Sequence, residues 1–255
     1  MTFAQYPSLA NRVVFVTGGA TGIGADIVEA FARQRARVAF LDLQAEAGGA
    51  LVEKIAARGE PKPLCLKGDV TDIPVLQAAI ARVRQETGPI GVLVNNAAND
   101  RRHRVDDVTV EMWDETQNIN LRHHFFAAQA VRPHMRELGG GSIINMSSIA
   151  WRFGAAEMPA YATAKAAVVG LTRALARAFG PDNIRVNAIE PGGGMTERQR
   201  QLWYKTEESV QAMVERQLIR RVLLGEEIAR AALFLAADDS CMITKQSITV
   251  DAGLR

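Results

Sequence analysis

The sequence predicts an α/β fold: a single doubly wound domain whose parallel sheet of about seven strands carries helices on both faces. Two observations support the sheet. Short apolar runs recur along the chain, and between them lie longer segments whose apolar residues are spaced as on one face of a helix. A third observation concerns domain number, because no internal repeat and no linker rich in Pro, Gly or Ser divides the 255 residues. We therefore expect residues 1–255 to form one domain.

The apolar runs define the strands, and the segments with helical spacing define the helices. We predict strands at residues 13–16, 38–41, 64–66, 92–94, 143–146, 184–189 and 247–250. We predict helices at residues 25–35, 75–85, 112–138, 160–179 and 226–236. The alternation is interrupted at residues 192–225, which contain a further helical segment at 207–217. Because ligands bind at the carboxyl ends of the strands in such a sheet, this long insertion contains a candidate lid, residues 193–221.

Composition and charge exclude several classes of function. The 30 Lys and Arg nearly balance the 28 Asp and Glu, and no long basic run occurs, so we expect no nucleic-acid partner. The chain has no stretch of about 18 apolar residues and no N-terminal leader pattern, which predicts a cytoplasmic protein with no membrane partner. Only Cys65 and Cys241 are present, so no disulfide framework is expected, and Cys65 is predicted to be an inert, buried thiol.

The first predicted strand runs directly into TGGATGIG, residues 17–24. Gly18, Gly22 and Gly24 permit a tight turn, let the backbone approach a pyrophosphate, and bring the following helix against the sheet with its N-terminus toward the phosphates. Thr21 and Ile23 lie in the same loop. Taken alone, the pattern also fits an ordinary strand-to-helix turn.

The end of the second predicted strand favours a dinucleotide over that simpler explanation. Asp42 stands there, 18 residues after Gly24 and directly before Leu43. Its carboxylate can accept hydrogen bonds from the adenosine ribose hydroxyls and would repel a 2′-phosphate. No Arg or Lys lies within the glycine loop or directly after Asp42, so NAD is predicted in preference to NADP.

The segment YATAK places Tyr161 and Lys165 one helical turn apart. Their i and i+4 spacing puts both side chains on one face of the helix, where the ammonium can stabilise a phenolate. A phenol has an unperturbed pKa near 10, so it needs such help to act as a base at neutral pH. By itself, the pair is equally compatible with an amphipathic helix that carries Tyr and Lys by chance.

Together these segments resemble the short-chain dehydrogenase/reductase superfamily over nearly the whole chain. The resemblance is carried, in order, by TGGATGIG, NNAA at 95–98, Asn120 in NINL, Ser148 ending SIINMSS, YATAK, and PGGGMT at 191–196. It implies a Rossmann-type sheet, a nicotinamide-dependent oxidoreductase, and a homo-oligomer, dimer or tetramer.

The resemblance also implies roles for four catalytic candidates. Tyr161 resembles the general acid/base, and Lys165 resembles the residue that holds the nicotinamide ribose and lowers the tyrosine pKa. Ser148 resembles the hydroxyl that orients the reacting oxygen, with Ser147 as the adjacent alternative. Asn120 resembles the group that fixes a water in a proton relay.

The cofactor site implied by the resemblance includes residues that follow several of the predicted strands. Asp69 resembles the residue beside the adenine, with Val70 contributing its backbone, and residues 191–196 resemble the loop on the nicotinamide side. The full set of cofactor-binding candidates is Gly18, Thr21, Gly22, Ile23, Gly24, Asp42, Leu43, Asp69, Val70, Asn96, Ala97, Ala98, Tyr161, Lys165, Pro191, Gly192 and Thr196.

Within the superfamily, NNAANDRRH and NLRHHFFAAQAVRPHM resemble bacterial aldose 1-dehydrogenases, which oxidise D-xylose, L-arabinose or D-galactose. That resemblance implies oxidation of an aldose at its anomeric carbon to the lactone. A sugar needs several donors and acceptors beside an aromatic or apolar face. The substrate-contact candidates are Asn99, Asp100, His103, Ser148, Trp151, Glu157 and Trp203. Arg101 departs from the subgroup, in which an acid is expected at that position.

Several alternatives remain open at this point. The polar run after residue 98 also fits a solvated loop. The superfamily core alone is compatible with a non-sugar secondary alcohol or a 3-oxoacyl substrate, and with an NAD-binding regulatory protein or an isomerase that shows no net turnover of cofactor. His123 and His124 would point about 100° apart on a helix, so we expect structural roles for them and no metal site. The predicted helices 112–138 and 160–179 are candidates for a subunit interface.

Overall fold

The computed structural model describes residues 4–254, and its centre is one parallel sheet. The described strands lie in the order β3-β2-β1-β4-β5-β6-β7, and every neighbouring pair runs parallel. Their bounds are β1 (Val13–Thr17), β2 (Arg37–Asp42), β3 (Leu64–Lys67), β4 (Val92–Asn95), β5 (Gly141–Met146), β6 (Ile184–Pro191) and β7 (Ser247–Val250). The predicted doubly wound fold is confirmed. The strand order reverses between β1 and β4, which places a ligand crevice at the carboxyl ends of these two strands.

The helices cover both faces of the sheet. They are α1 (Gly22–Arg33), α2 (Ala45–Ala56), α3 (Ile73–Thr87), α4 (Val110–Gln117), α5 (His123–Glu137), α6 (Pro159–Phe179), α7 (Glu197–Leu202), α8 (Glu207–Glu215) and α9 (Gly225–Ala236). The single helix predicted at 112–138 is α4 and α5, joined without a loop by a π-helix over Asn118–Arg122. The structure adds α2 and α7, for which the sequence analysis named no helix.

Alternating side chains of the strands pack into two apolar cores, one on each face of the sheet. In β1, Val14 and Val16 pack on one face with residues of α1 and α9, whereas Val13 and Phe15 pack on the other with residues of α3, α5 and α6. Phe15 is fully buried. Because successive residues of a strand point to opposite faces, one uninterrupted apolar run supplies both cores. The sheet is thereby held rigidly from both sides, and its carboxyl edge is left for polar groups.

Residues 193–221, the lid segment, contain α7 and α8 and have a small apolar cluster of their own. Val210, Met213 and Val214 of α8 are buried there. Where the lid segment begins, Met195 N donates to the carbonyl of Leu223 at 2.9 Å. At its end, the N–H groups of residues 218 and 219 both donate to the carbonyl of residue 252 at 3.0 Å. The lid segment is therefore tied down at both ends.

The sequence analysis made predictions about two histidines and one cysteine of the interior. His123 and His124 are fully buried with their rings 4.4 Å apart, and burial lowers the pKa of both, that of His123 to about 3. They are neutral structural groups, as predicted. Cys65 is only partly buried, contrary to the prediction, because β3 is an edge strand; burial and the neighbouring Asp42 still raise the pKa of its thiol. Among residues 4–254, no helix is long and apolar enough to span a bilayer.

Candidate active site

The glycine loop lies at the carboxyl end of β1, where the backbone must turn sharply. Gly18 and Gly22 have φ of 68° and 58°, in the left-handed region that favours glycine. A Cβ on Gly24 would lie 1.8 Å from the Gly18 carbonyl oxygen, so only glycine fits there. Helix α1 begins at Gly22, and the Thr21 side chain makes no capping hydrogen bond to it. The first N–H groups of α1 are thus available to an anion.

Asp42 ends β2 and holds the glycine loop from its other side. One carboxylate oxygen accepts from the backbone N–H of Ala20 at 2.9 Å, and the other accepts from that of Gln44 at 2.9 Å. The Gln44 amide in turn donates to the Thr21 hydroxyl at 3.2 Å. Leu43 is well exposed beside it. Asp42 therefore positions the loop as well as standing where a ribose would bind.

The segment after β4 supports the glycine loop rather than simply covering it. The Asn96 amide donates to the backbone carbonyls of Thr17 at 3.1 Å and Gly18 at 2.7 Å. The Thr17 hydroxyl accepts from the N–H groups of Asn96 at 3.0 Å and Ala97 at 3.1 Å. Ala98 is exposed at the edge of the cleft. Thr17, which the sequence analysis did not single out, is the centre of this junction.

The remaining cofactor candidates lie at the ends of β3 and β6. Asp69 accepts from the N–H of Thr71 at 2.8 Å, and Val70 is buried in the core beside it. Pro191 ends β6, and Gly192 N donates to the carbonyl of residue 250 at 2.9 Å. Thr196 caps α7 and lies opposite the glycine loop: its methyl group would be 3.5 Å from a Cβ on Gly22. The start of the lid segment and the N-terminus of α1 therefore face each other across a narrow cleft.

Tyr161 and Lys165 lie on one face of α6, as their spacing predicts. The Lys165 Nζ is 5.6 Å from the centroid of the Tyr161 ring and donates to the Met146 carbonyl at 2.8 Å. Lys165 is almost fully buried, and burial lowers its pKa to about 7. Removing an ammonium from water disfavours its charged form, so this lysine can change charge at physiological pH.

The protein groups alone raise the pKa of the Tyr161 phenol above its ordinary value. Burial is the main cause and the carboxylate of Asp100 adds to it, while a hydrogen bond with Ser148 opposes them. Lys165 is not among the groups that shift this pKa, because burial favours the neutral form of its amine, which carries no charge to stabilise a phenolate. The lowering of the Tyr161 pKa by a charged Lys165, which the resemblance implies, stays a prediction.

The two serines after β5 have different surroundings. The Ser148 hydroxyl accepts from the N–H of Ala150 at 3.1 Å at the start of the short helical turn Ile149–Trp151, and it interacts with the Tyr161 phenol. The Ser147 hydroxyl is buried and donates to the Lys165 carbonyl at 2.7 Å. Of the two candidates, Ser148 is therefore the one beside Tyr161, and Ser147 holds α6 against the sheet.

Asn120 is buried in the π-helix and binds backbone. Its oxygen accepts from the N–H of Asn99 at 2.9 Å, and its amide donates to the carbonyls of Asn99 at 3.1 Å and Thr116 at 2.9 Å. These three hydrogen bonds fix the start of the loop that follows β4. The side chain thus positions the loop that follows β4, and the water-fixing role that the resemblance implies stays a prediction.

Most of the substrate-contact candidates lie on one rim of the cleft. Two arginines, which the sequence analysis did not predict as site residues, bind several of these side chains. Asn99 and Asp100 accept from Arg198, and Glu157 accepts from Arg102. The remaining contacts concern aromatic rings and backbone. Trp203 lies under the guanidinium of Arg102, the His103 N–H donates to the Glu157 carbonyl at 2.8 Å, and Trp151 instead faces Arg152. Isolated arginines in polar loops carry no sequence pattern that would have revealed these pairings.

Two small cavities lie beside the rim. Both are shallow: one is lined in part by Arg101, His103 and Asn120, and the other by Arg101, His103 and Tyr161. Arg101, the departure noted in the sequence, therefore borders both, and its guanidinium lies 3.8 Å from Glu115. That carboxylate balances the charge of Arg101 locally.

The chain belongs to the short-chain dehydrogenase/reductase family. A family model described as enoyl-(acyl carrier protein) reductase matches residues 18–255. Members of this family are nicotinamide-dependent oxidoreductases that act on CH–OH donors or the corresponding carbonyls. The protein is therefore an enzyme with a small-molecule substrate, and the glycine loop, the free N-terminus of α1 and Asp42 fit a nicotinamide dinucleotide.

Similar proteins span the whole chain. A probable galactose dehydrogenase of Rhizobium meliloti is 51% identical over 98% of this chain and 98% of its own. A D-xylose 1-dehydrogenase of Caulobacter vibrioides is 44% identical over the full length of both chains. Among solved structures, a 3-oxoacyl-[acyl-carrier protein] reductase from Brucella melitensis superposes with a TM-score of 0.90 at 30% identity, covering 100% of this chain and 98% of that one. The predicted resemblance to aldose 1-dehydrogenases within the family is confirmed.

Proposed function

We propose that this protein is an NAD-dependent aldose 1-dehydrogenase, which oxidises the anomeric carbon of a pentose or hexose to the lactone. The observation that carries the proposal is that Ser148 interacts with the buried phenol of Tyr161 beside a rim of amide, carboxylate and indole groups. Two of the most similar relatives, at 51% and 44% identity, bear the names of a galactose and a xylose dehydrogenase.

The chain's own groups account for the movement of the proton. Ser148 donates a hydrogen bond to the anomeric oxygen and orients it, while Tyr161 in its phenolate form accepts the proton of that hydroxyl. Lys165, in its charged form, stabilises the phenolate from one helical turn away. When bound, NAD supplies the ring that accepts the hydride, so the sugar loses two electrons and two hydrogens in all. Ser148 lies just after β5 and Tyr161 lies on α6, and these rigid elements keep the two side-chain hydroxyl oxygens at a fixed separation.

The same edge of the sheet provides for the cofactor. The N-terminus of α1 and the glycine loop would hold the pyrophosphate, and the acceptors of Asp42 would hold the adenosine ribose. Asp69 and Val70 would border the adenine, and residues 191–196 the nicotinamide. NAD is preferred over NADP because the carboxylate of Asp42, which accepts from the Ala20 N–H of the glycine loop, would repel a 2′-phosphate.

The rim suits a sugar because it offers both acceptors and flat apolar surface. Asp100 and Glu157 carry carboxylate oxygens, Asn99 carries an amide nitrogen, His103 carries a ring nitrogen, and Trp203 carries an indole ring. A polyhydroxylated substrate forms hydrogen bonds with such groups, whereas a simple alcohol leaves them unpaired, which weakens its binding.

We propose in addition that the enzyme acts in the cytoplasm as a homo-oligomer. The exposed aromatic side chains of Trp113 and Phe125 on α4 and α5 support an interface there, which light scattering of the purified protein would test.

The experiment follows NADH at 340 nm for the wild type and for Tyr161→Phe. Substrates are D-galactose, D-xylose, L-arabinose, the matching sugar alcohols, a simple secondary alcohol and a 3-oxoacyl thioester with NADH. We expect turnover of at least one aldose with NAD, and a loss of about 10²-fold or more in kcat for the variant, since phenylalanine can take no proton.

A lactone trap separates the proposal from its rivals. With hydroxylamine present, an aldonic hydroxamate should accumulate in step with NADH. Turnover restricted to sugar alcohols, the secondary alcohol or the thioester contradicts the aldose assignment while leaving the family chemistry intact. Binding of NAD with no turnover of any substrate favours a regulatory protein or an isomerase.

A further inference from the structure

Helix α7, at the start of the lid segment, lies beside the rim of the cleft and reaches it through polar side-chain contacts. None of its residues is buried, in contrast to α8, which has a small apolar core. Its first residue follows Thr196, which faces the glycine loop. Met195 and Tyr204, on either side of α7, pack against the apolar cluster of α8, but α7 itself has no buried residue, so its contacts with the rim determine how closely it is held to the cleft.

Arg198 makes the first of these contacts. Its Nε lies 3.3 Å from the Oδ1 of Asp100, and its Nη2 lies 3.2 Å from the Oδ1 of Asn99. The Asn99 backbone is in turn fixed by the buried amide of Asn120. Arg198 thus joins a part of the lid segment that lacks buried residues to a part of the rim that is rigidly held.

Arg102 makes the second contact, from the rim toward the lid segment. Its guanidinium carbon lies 3.9 Å from the centroid of the Trp203 ring, directly after α7, and its Nη1 donates to Glu157 at 3.0 Å. A guanidinium at this distance from an indole face is attracted to it, and the ion pair with Glu157 keeps it there. The two ends of α7 are therefore both held by arginines.

We propose that Arg198 is a positioning residue of this enzyme: with Asn99 and Asp100 it forms a latch that closes α7 over the substrate, and Arg102 with Trp203 forms the second half of that latch. The inference deepens the proposed function, on which it rests for the identity of the substrate. In the closed arrangement Arg198 binds the Oδ1 atoms of Asn99 and Asp100. The amide nitrogen of Asn99 and the Oδ2 of Asp100 are then left for sugar hydroxyls. The carboxylate that binds substrate is then the same one that the latch holds in place.

The test compares Arg198→Gln with Arg200→Gln. Arg200 lies on the same short helix and is similarly exposed, but it pairs with Glu207 inside the lid segment rather than with the rim. Hydrogen exchange of the amides of residues 197–204, measured by mass spectrometry without sugar, should become about three- to tenfold faster in Arg198→Gln and stay unchanged in Arg200→Gln. The KM for the aldose should rise by a similar factor in Arg198→Gln only, and by more than any fall in kcat, because Arg198 contacts the rim rather than the reacting atoms.

Two further measurements make the result decisive. Arg198→Lys keeps the charge, so it should recover part of the slow exchange. Raising the salt concentration from about 0.05 to 0.5 M should speed exchange in the wild type but not in Arg198→Gln, because exposed ion pairs are screened. Equal exchange in the two glutamine variants overturns the latch even if aldoses are oxidised. Faster exchange in Arg198→Gln alone supports the latch even if no aldose is oxidised, so the two proposals fail separately.

Discussion

At the scale of single residues, the site depends on an amine and a phenol that burial pushes toward their neutral forms. Burial lowers the pKa of Lys165 to about 7 and raises that of Tyr161. A neutral phenol is a poor base, so catalysis requires additional positive charge or hydrogen bonding at Tyr161 during turnover. The Ser148 hydrogen bond is one such contribution that the chain itself supplies.

The buried amine makes stability depend on pH in a definite direction. Lys165 has a pKa of about 7 in the folded protein and 10.5 when unfolded, so between these values the unfolded chain binds more protons and stability rises with pH. From pH 7 to pH 9 the wild type should therefore gain about 1–2 kcal/mol more in its free energy of unfolding than Lys165→Met does. Urea unfolding of both proteins without added cofactor measures this difference.

A control removes an exposed lysine instead. Lys205, in the lid segment, is exposed, so Lys205→Met should differ from the wild type by the same small amount at both pH values. A difference for Lys165→Met that does not change between pH 7 and pH 9 contradicts the account of a desolvated amine.

The proposed preference for NAD over NADP rests on the carboxylate of Asp42. Asp42→Asn keeps the shape of the side chain and an oxygen for the Ala20 N–H, but it removes the charge that repels a 2′-phosphate. We expect the ratio of kcat/KM for NAD over that for NADP to fall about tenfold or more, with most of the loss on the NAD side, because hydrogen bonds to charged groups contribute about 1.5–3 kcal/mol. An unchanged ratio would show that Asp42 serves only to hold the glycine loop.

At the scale of elements, the π-helix between α4 and α5 explains how a helix can support a loop. Asn120 lies within this π-helix and makes three hydrogen bonds to backbone groups of Asn99 and Thr116.

Asn120→Ala leaves the polar backbone groups of Asn99 without these partners, so we expect a loss of about 1–3 kcal/mol in the free energy of unfolding and a rise in KM. Asn118, in the same π-helix, makes no side-chain hydrogen bond to any described residue, so Asn118→Ala is the matched control for urea unfolding.

The elements also show what periodicity can predict. All seven strands were predicted, because each is an apolar run flanked by turns. Helix α2 was not named, since Gly48 and Gly49 lower its intrinsic helix propensity; Gly48 is required because a Cβ there would lie 2.6 Å from the Cys65 sulfur. The π-helix has no periodic signature, because one extra residue in a turn shifts a pattern only slightly.

At the scale of the whole molecule, the parallel sheet brings distant motifs to one edge. Residues at the ends of β1, β2, β4, β5 and β6 meet there because every strand points the same way. This made the glycine loop, Asp42, Ser148, Tyr161 and Lys165 predictable from the sequence. The arginine contacts of the rim were not, because Arg102 and Arg198 are 96 residues apart and their partners are set by how the lid segment folds back.

The central claim is that hydride leaves the anomeric carbon of an aldose. It is tested most directly with D-galactose and D-xylose carrying deuterium at C1, incubated with the enzyme and NAD. Mass spectrometry of the reduced cofactor should find one deuterium per molecule formed, and the sugar product should be an unlabelled lactone or its acid. Reduced cofactor without deuterium, or a product that keeps the label at C1, would contradict the account by placing the oxidation at another carbon.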